Sequence, residues 1–540
     1  MFQTIINRMW RDERGQDLVE YALIVAAVGL ALITTVNQLS TAVVSLYSSI
    51  TQGLTSIGAT GQSPLRISME PRSAPGSVRV LLPDLALALS LFAALYALVF
   101  YNAPEQLFRD SDAGWHIVTG ERILATGAVP RVDDYSFSHP AAPWFAWEWA
   151  ADVAMGAAHR SAGLRGVTLL YIATIAATVW IWVRLSFTCG ANFFAVCLFA
   201  SPMLTTAQLH WLARPHVFSW VLLSIALLLL EKERMNWRWA FGIGVLWANW
   251  HGSFFLLPVL CLIYGARWAA VAAIAASFVN PYGWELHTHL IGYLRNTELL
   301  SRVAEFQSFN FHSEGAWQVA AVLLIGMTGF VCALAMGQWS RALTLLLLSA
   351  MALRTARGLP VLAMAGLPLA AGAMSTALAA WTLLPPIARR VLDYGDRLRN
   401  LQAPLRGYAP GAIVFALLAL AVLGSHSAFP AKEFPVAAAQ HIPEDARLLA
   451  PDKYGGYLIY RFKGARKVYF DGRSDYYGAA FMKEFVDLVE VRSGYEEIVK
   501  KYGLTHALLP PRYSLIPALE RAGWKRLYAD ETSVLLQRNF

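Results

Sequence analysis

Two aspartates, Asp110 and Asp112, stand one residue apart just after an apolar run long enough to cross a bilayer. Acidic side chains at a membrane surface are costly to dehydrate, which makes the pair a candidate for function. A carboxylate can accept the proton of an attacking hydroxyl or amide group. Two carboxylates can instead hold a divalent cation such as Mg²⁺ or Mn²⁺. The same residues also fit a hydrated loop in which Ser111 or Asp112 caps a helix.

Cationic side chains interrupt later apolar runs. In the predicted topology they lie on the same side of the membrane as the two aspartates. Arg214, Arg354 and Arg357 could bind a phosphate group, because a guanidinium offers two parallel hydrogen bonds to phosphate oxygens. His116 and Glu305 are predicted to line the same site. Each arginine could equally extend its charged end towards lipid headgroups.

Two further sets of residues that could bind metals are interpreted as structural. His287 and His289 lie in a polar stretch, residues 280–313, and are too close for the usual ligand pair on a helix. A strand could present both to a metal, but a solvated loop is expected. The four cysteines lie in apolar runs without metal-ligand spacing: Cys189, Cys197, Cys261 and Cys332. They are predicted to be small buried residues.

The composition indicates that these residues belong to a membrane protein. Of the 540 residues, 56% are hydrophobic and only 15% are charged, and the mean hydropathy is +0.44. Soluble proteins carry about a quarter charged residues. The net charge of +8 is explained by Lys and Arg in cytoplasmic loops, so nucleic-acid binding is not expected.

Eleven apolar segments predict an α-helical polytopic membrane domain over residues 81–430, although several are shorter than the ~20 residues that a span needs. Their bounds are 81–100, 166–186, 191–209, 216–230, 239–250, 253–265, 268–279, 318–336, 340–353, 358–382 and 409–427. The basic loops 231–238 and 386–406 are predicted to be cytoplasmic. Counting spans from either loop places the loop 102–162 and the chain after residue 427 outside the cytoplasm.

Residues 431–540 have the composition of a soluble domain and are predicted to form a small α/β module. The predicted strands are 447–449, 467–470, 506–509, 525–528 and 533–536, and the predicted helices are 480–489, 495–502 and 514–522. Two stretches, 453–457 and 471–475, are predicted turns that could cover the site or bind an acceptor.

The N-terminal segment, residues 1–60, carries a short basic leader and an apolar helix. Gly15 ends the leader, and Glu20 and Tyr21 follow within the apolar run. This arrangement resembles the Flp family of type IVb pilins, in which a prepilin peptidase cuts after the glycine and the glutamate pairs with a neighbouring subunit's N-terminus. A glutamate in an apolar helix needs such a partner. The resemblance implies processing at Gly15, with Glu20 and Tyr21 as the matching mature residues.

A linker rich in Pro, Ser, Gly and Arg, residues 61–80, separates this segment from the membrane domain. The basic leader and the linker both favour a cytoplasmic position. They cannot both be cytoplasmic if the pilin-like helix crosses the membrane once. The chain is therefore interpreted as a fusion of two units.

The loop that follows Asp112 is predicted to contact the membrane surface. Trp115 and the apolar residues after it have the spacing of an amphipathic helix lying in the interface. Trp144, Trp147 and Trp149 are interpreted as an interfacial aromatic belt.

The same loop places an aspartate, an aromatic residue, a helix and a Gly-x-x-Pro run directly after the first span of the membrane domain. It resembles the first external loop of the GT-C superfamily of integral membrane glycosyltransferases. The resemblance implies a multi-pass membrane protein and sugar transfer from a polyprenyl-phosphate donor. Together with the pilin-like segment and the span count, it predicts a protein of a bacterial inner membrane with its C-terminal domain outside the cytoplasm. Asp112, with Asp110, would then be the catalytic base or a metal ligand.

Three functions are compatible with the sequence. The first is a glycosyltransferase acting on an extracytoplasmic acceptor. The second is a pilin-type structural or assembly protein, and the third is a non-catalytic lipid-binding or transport protein on the same scaffold. Replacing Asp112 by Asn distinguishes the first from the third, because only catalysis should be lost. Recovery of a processed peptide in filaments would favour the second.

Overall fold

The computed structural model describes residues 80–313 and 315–539, which belong to one compact unit. The pilin-like segment, with Gly15, Glu20 and Tyr21, lies outside the described residues, as does the linker up to residue 79.

Helices make up most of the described chain, and each of the eleven predicted apolar segments coincides with one of them. In chain order they are α1 (Leu85–Val99), α2 (Ala103–Gln106), α3 (Asp112–Thr126), α4 (Trp149–Ala162), α5 (Leu164–Thr188), α6 (Phe193–Ala207), α7 (His216–Glu231), α8 (Trp237–Trp250), α9 (Leu256–Ile263), α10 (Arg267–Ala276), α11 (Glu285–Arg295), α12 (Thr297–Arg302), α13 (Ala316–Ala335), α14 (Trp339–Arg354), α15 (Gly358–Ala380), α16 (Pro386–Gln402), α17 (Tyr408–Gly424), α18 (Asp452–Arg461), α19 (Ser474–Val489), α20 (Tyr495–Lys501) and α21 (Leu515–Arg521).

Within residues 80–313 and 315–539, four helices are long and apolar enough to cross a membrane: Leu164–Thr188, Phe193–His210, Ala316–Ala335 and Gly358–Ala380. Shorter apolar helices accompany them: Leu85–Val99, His216–Glu231, Gly252–Ile263, Arg267–Ala276 and Tyr408–Gly424. The described chain is therefore a helical membrane protein with several spans, as predicted. The segments predicted at 253–265 and 268–279 form helices of about 20 Å or less, too short to cross a ~30 Å hydrocarbon layer singly.

The helical bundle has two distinct ends. α1 and α6 begin beside α16, where Gln402 Oε1 accepts a hydrogen bond from Leu85 N at 3.1 Å and Asn192 Nδ2 donates to Leu392 O at 2.8 Å. Both helices finish at the opposite end, where the Tyr101 hydroxyl contacts the Trp211 carbonyl. The loop 102–162 leaves from this second end. We call it the cavity end, after the cavity described in the next section.

The loop at the cavity end is built on a tight crossing of α3 and α4. A Cβ added to Gly120 would lie 1.7 Å from Asp152 O, so only glycine allows the two backbones to meet there. Residues 112–120 of α3 are all buried. The prediction that α3 lies in the membrane interface was therefore wrong, because the helix packs between α4 and the C-terminal domain. Trp144 is buried as well, at 4% exposure, and does not form a lipid-facing belt.

The C-terminal domain contains a four-stranded sheet with the order β1-β2-β4-β3. The strands are β1 (Leu448–Leu449), β2 (His506–Leu509), β3 (Lys525–Ala529) and β4 (Val534–Gln537). β1 pairs with β2 in parallel, and the other two pairs are antiparallel. Leu508 and Leu535 are opposed in the register and fully buried, and their neighbours in the two strands are buried too, so both faces of the sheet are covered there.

Four of the five predicted strands are present, and the fifth prediction was wrong. Residues 467–470 form a single bridge, Ser136 with Val468, so their backbone pairs with the external loop and not with the sheet. The predicted turn 453–457 lies within the helix Asp452–Arg461. Both segments contact the external loop: Val468 bridges Ser136, and a Cβ on Gly456 would lie 2.3 Å from Ser111 O.

Candidate functional site

A cavity of about 1160 Å³ opens at the cavity end of the bundle. Its wall combines the start of α3, the segment between α6 and α7, residues 300–307, the junction of α14 and α15, and residues 470–475 of the C-terminal domain. Pockets for small ligands usually measure ~300–1,000 Å³. The cavity therefore has room for a ligand larger than a simple metabolite.

The two aspartates lie where α3 begins. Asp110 Oδ1 accepts a hydrogen bond from the Asp112 backbone N at 2.9 Å, so Asp110 satisfies an amide at the start of the helix. Asp112 itself is only 5% exposed. The predicted capping role thus falls to Asp110, whose other carboxylate oxygen stays available for a cation.

Arg214 joins three carboxylates from separate parts of the chain. Its Nη1 donates to Asp110 Oδ2 and to Glu305 Oε1, each at 2.9 Å, and its Nη2 lies 2.9 Å from Asp112 Oδ2. Arg357 contacts the second oxygen of Glu305. These five charged groups form one network, which we call the charged cluster.

The charged cluster shifts the protonation of its carboxyl groups in opposite directions. Burial raises the pKa of Asp112 to about 7, although the Arg214 charge opposes this shift. Burial alone would also raise the pKa of Glu305, but Arg214 and Arg357 together hold it below its ordinary value. Glu305 therefore stays ionised, whereas Asp112 can exchange a proton near neutral pH.

A second titratable group, which the sequence analysis missed, lies next to the charged cluster. Glu148 lines the cavity, with Oε2 3.9 Å from His116 Nε2 and Oε1 3.6 Å from His251 Nε2. Asp152 Oδ1 is 2.6 Å from His116 Nδ1. Burial raises the pKa of Glu148 to about 8, although Arg214 opposes the shift. Glu148 is thus a second cavity carboxyl that can exchange a proton near neutral pH.

His116 does not occupy the position predicted for it. Its side chain is 1% exposed and lies behind the cavity wall, against Asp152. Burial lowers the pKa of His116 and raises that of Asp152, so both uncharged forms are favoured. His116 therefore hydrogen-bonds to Asp152 behind the cavity and offers no charge to a phosphate.

The other predicted site residues come together. They line a single cavity, although up to 247 positions separate them along the chain: Asp110, Asp112, Arg214, Glu305, Arg354 and Arg357.

The C-terminal domain closes over the charged cluster through glycines. A Cβ on Gly472 would lie 1.9 Å from Asp112 Oδ1, and a Cβ on Gly456 would lie 2.3 Å from Ser111 O. Both glycines belong to the two stretches that were predicted to cover the site. The close approach of these backbones explains why glycine occupies positions 456 and 472.

A buried ion network holds this cover in place. Arg473, 1% exposed, donates to Asp471 Oδ2 and to Asp133 Oδ1, each at 2.7 Å. Asp133 belongs to the external loop, so the network joins the loop to the C-terminal domain. Tyr476 adds a hydrogen bond from its hydroxyl to Asp133 Oδ2 at 3.2 Å.

The residues considered as metal ligands have other partners. Arg214 fills the space between Asp110 and Asp112 where a cation shared by both would lie. Across residues 80–313 and 315–539, no group of three or more His, Cys, Asp or Glu side chains is arranged to hold a metal ion. His287 Nε2 lies 2.8 Å from Ser277 Oγ, and His289 Nε2 lies 3.0 Å from Asp475 Oδ2.

The polar stretch 280–313 is not simply a solvated loop. It contains the helices Glu285–Arg295 and Thr297–Arg302, and its last part carries Glu305 into the cavity.

One signal in the sequence could have identified Glu148 and Asp152. They stand four residues apart, a spacing that places two side chains on the same face of a helix, and Glu148 immediately precedes α4. The surrounding tryptophans instead have the pattern of a belt at the membrane surface, which predicts a different role for this segment.

Comparisons with known proteins address the two parts of the chain separately. Residues 9–54 match the Flp/Fap pilin component family. A comparison with curated protein sequences finds no match.

Two solved structures share the fold of the rest of the chain, and both are oligosaccharyltransferases of Archaeoglobus fulgidus. One, tethered to an acceptor peptide containing an NVT sequon, has a TM-score of 0.50 at 11% identity. The match covers 78% of this chain and 68% of the chain of that structure. The other, AglB in complex with an inhibitory peptide and a dolichol-phosphate, has a TM-score of 0.51 at 12% identity, with coverages of 79% and 69%. The chain therefore has a GT-C fold preceded by a pilin-like segment.

Proposed function

We propose that the protein is a membrane glycosyltransferase that takes a sugar from a polyprenyl-phosphate-linked donor and transfers it to an acceptor outside the cytoplasm of a bacterial inner membrane. The main observation is the convergence of Asp112, Glu148 and the arginines in one cavity at an end of the bundle. The fold shared with an oligosaccharyltransferase that was solved with a dolichol-phosphate supports this donor class.

The arginines provide the binding site for the donor phosphate. Arg354 and Arg357 line the cavity, and Arg214 already directs both Nη groups at oxygen atoms. A phosphate entering the cavity replaces part of the contact between Arg357 and Glu305, exchanging one oxyanion partner for another. The polyprenyl chain extends from there into the lipid around the bundle.

The carboxyl groups handle the proton of the acceptor. An acceptor O–H or N–H attacks the anomeric carbon, the bond from that carbon to the phosphate oxygen breaks, and the lipid phosphate leaves with the bonding electron pair. Asp112 accepts the acceptor's proton, with Asp110 holding Arg214 and the start of α3 in position. Glu148 is the second carboxyl group available for this transfer.

The carboxylates around Arg214 suit an arginine better than a divalent cation, so the proposed reaction does not involve Mg²⁺ or Mn²⁺. Arg214 already contacts Asp110, Asp112 and Glu305, and it supplies the fixed positive charge that a metal would bring. We expect turnover to persist within about twofold in excess EDTA, a factor worth less than ~1 kcal/mol.

The first test measures binding. The purified full chain in nanodiscs is titrated with undecaprenyl phosphate and, separately, with undecaprenol. We expect a preference for the phosphate that falls at least tenfold in Arg357→Gln and is unchanged in the control Arg234→Gln, because Arg234 is exposed beyond the far end of α7. Equal affinity for the two lipids would refute the proposed donor class.

The second test measures turnover with undecaprenyl-phosphate hexoses, counting released polyprenyl phosphate with water as the acceptor. Asp112→Asn should keep lipid binding and lose about 10²-fold or more in release, the usual contribution of a general base. Binding without release of any hexose from the unchanged protein would instead support a non-catalytic lipid-binding or transport protein.

A second function, that of a pilin-type structural or assembly subunit, is favoured by the family match at residues 9–54. Coexpression with a prepilin peptidase should then yield a chain that begins at Gln16, and Gly15→Val should prevent this cleavage. Recovery of residues 16–60 in filaments would support a structural role. A cleaved chain that stays whole in the membrane would leave the enzyme proposal intact.

A further inference from the structure

The helix α16, at the end of the bundle opposite the cavity, docks on the bundle along only one face. Gly395 is buried there, and a Cβ on it would lie 2.2 Å from Asn192 Oδ1. Arg399 Nη1 donates to Ala191 O at 3.2 Å on the same side. The other faces of the helix are available to lipid or water.

A second face of α16 is apolar and exposed. Its residues are separated by four, three and seven positions along the sequence, which places them in one stripe along the helix. Their exposed fractions are 76% for Ile387, 49% for Val391, 50% for Tyr394 and 65% for Leu401. Positive charge alone accounts for a cytoplasmic loop, so the apolar stripe requires a separate explanation.

Exposed arginines border the apolar stripe. Arg390 and Arg397 are exposed along the helix, and Arg406 is exposed just beyond its end. Residues 386–406 contain five arginines and two aspartates, an excess of three positive charges. The stripe and the arginines together have the pattern of a helix that lies on an anionic membrane surface.

The connections of α16 hold it close to the membrane. Residues 381–385 join it to α15, which ends at Ala380, and residues 403–407 join it to α17, which begins at Tyr408. Both neighbours are apolar helices of the bundle. With only five residues on either side, a helix about 25 Å long must lie along the membrane plane.

We propose that α16 is an interfacial lipid-binding helix that inserts its apolar stripe among the acyl chains and binds anionic phospholipid headgroups through Arg390 and Arg397. The docked face keeps the helix beside the bundle, the stripe turns towards lipid, and the charged face turns towards water and headgroups. This inference does not depend on the reaction at the cavity end.

Spin labels test the position of the helix. In a cysteine-depleted full chain in nanodiscs, a label at Val391→Cys reports on the stripe and a label at Asn400→Cys on the exposed polar side. We expect the Val391 label to collide mainly with oxygen and the Asn400 label mainly with a water-soluble nickel chelate. Equal accessibility of the two labels to the chelate would overturn the interfacial position.

Native mass spectrometry tests the choice of lipid. Nanodiscs of phosphatidylcholine with about a third phosphatidylglycerol are used, and the phosphatidylglycerol molecules retained by the released protein are counted. The double variant Arg390→Gln/Arg397→Gln should retain fewer. The matched control Lys232→Gln/Arg234→Gln removes two exposed charges at the same end of the bundle and should retain the normal number. Equal loss in both variants, or in neither, would overturn the specific role of α16.

Discussion

The carboxyl group of Asp112 is enclosed on two sides, by the guanidinium of Arg214 and by the backbone of Gly472. The first contact orients one oxygen, and the second limits the space around the other. Substrate must therefore reach this carboxyl group from the cavity alone. The site therefore depends on the absence of a side chain at Gly472 as well as on its charged groups.

Replacing Gly472 by Ala tests this enclosure. The new Cβ would lie 1.9 Å from Asp112 Oδ1 and is fixed to the backbone, so Asp112 must turn away from Arg214. We expect a loss of about 1–3 kcal/mol in stability, measured by thermal unfolding, and at least a tenfold drop in donor turnover. Gly292→Ala is the control, since its Cβ would meet no atom within 4 Å. Normal turnover in Gly472→Ala would contradict the enclosure.

Glu148 should make stability depend on pH. Its pKa rises from 4.5 to about 8 through burial. Below pH 4.5 it holds its proton in both the folded and the unfolded chain. Between pH 4.5 and 8 the unfolded chain loses that proton while the folded chain keeps it, so stability falls as pH rises, by about 1.4 kcal/mol per pH unit at most.

The variant Glu148→Gln should remove this dependence. Its melting temperature should exceed that of the unchanged protein at pH 8 and equal it at pH 4.5, in scans of both proteins in the same detergent. Glu531→Gln alters an exposed glutamate of the C-terminal domain and should show no such trend. The proposal for Glu148 fails if the difference between the two proteins is the same at both pH values.

At the scale of elements, the external loop and the C-terminal domain fold as one layer over the bundle. The helices α3 and α4 cross at Gly120, and α18 packs Gly456 on the start of α3. Arg473 then joins the domain to Asp133 of the loop. The helix α3 is therefore packed between α4 and the C-terminal domain, which fixes the orientation of the Asp112 side chain.

The Arg473 network provides a test with a neighbouring control. Asp133→Asn leaves the buried guanidinium with one fewer charge partner, which should cost about 3–5 kcal/mol and increase proteolysis between the loop and the C-terminal domain. Asp134→Asn alters a carboxyl group that is 50% exposed and paired with Arg122 at the surface. A surface pair contributes about 0–1 kcal/mol, so this variant should melt almost normally. Equal effects of the two variants would argue against the network.

At the scale of the whole molecule, the cavity and α16 lie at opposite ends of the same helices. An impermeant thiol reagent on intact cells should therefore label Glu531→Cys in the C-terminal domain and spare Lys232→Cys beyond α7. Ser111, only 5% exposed beneath Gly456, would be a poor site for such a label. Labelling of Lys232→Cys alone would place the cavity in the cytoplasm and refute an extracytoplasmic acceptor.

Hydropathy and residue patterns were sufficient to predict the helices of the bundle, the α/β character of the C-terminal domain and several of the residues around the cavity. Apolar runs become helices in lipid because a buried backbone must satisfy its own hydrogen bonds. Arginines and acids that interrupt such runs are costly to dehydrate, so Asp112, Arg214 and Glu305 stood out in advance. The match at residues 9–54 confirms the resemblance seen around Gly15, Glu20 and Tyr21.

No local pattern predicts which of these residues contact one another or which side chains lie behind them, because this depends on the folding of distant segments. His116 looked like a ligand but packs against Asp152, while Glu148 was hidden among tryptophans and reaches the cavity. Residues 467–470 had the pattern of a sheet strand, yet the backbone pairs with the external loop. The physical reason is the same in each case. Local pattern determines whether a segment is helical or extended, whereas its partner depends on contacts with residues hundreds of positions away.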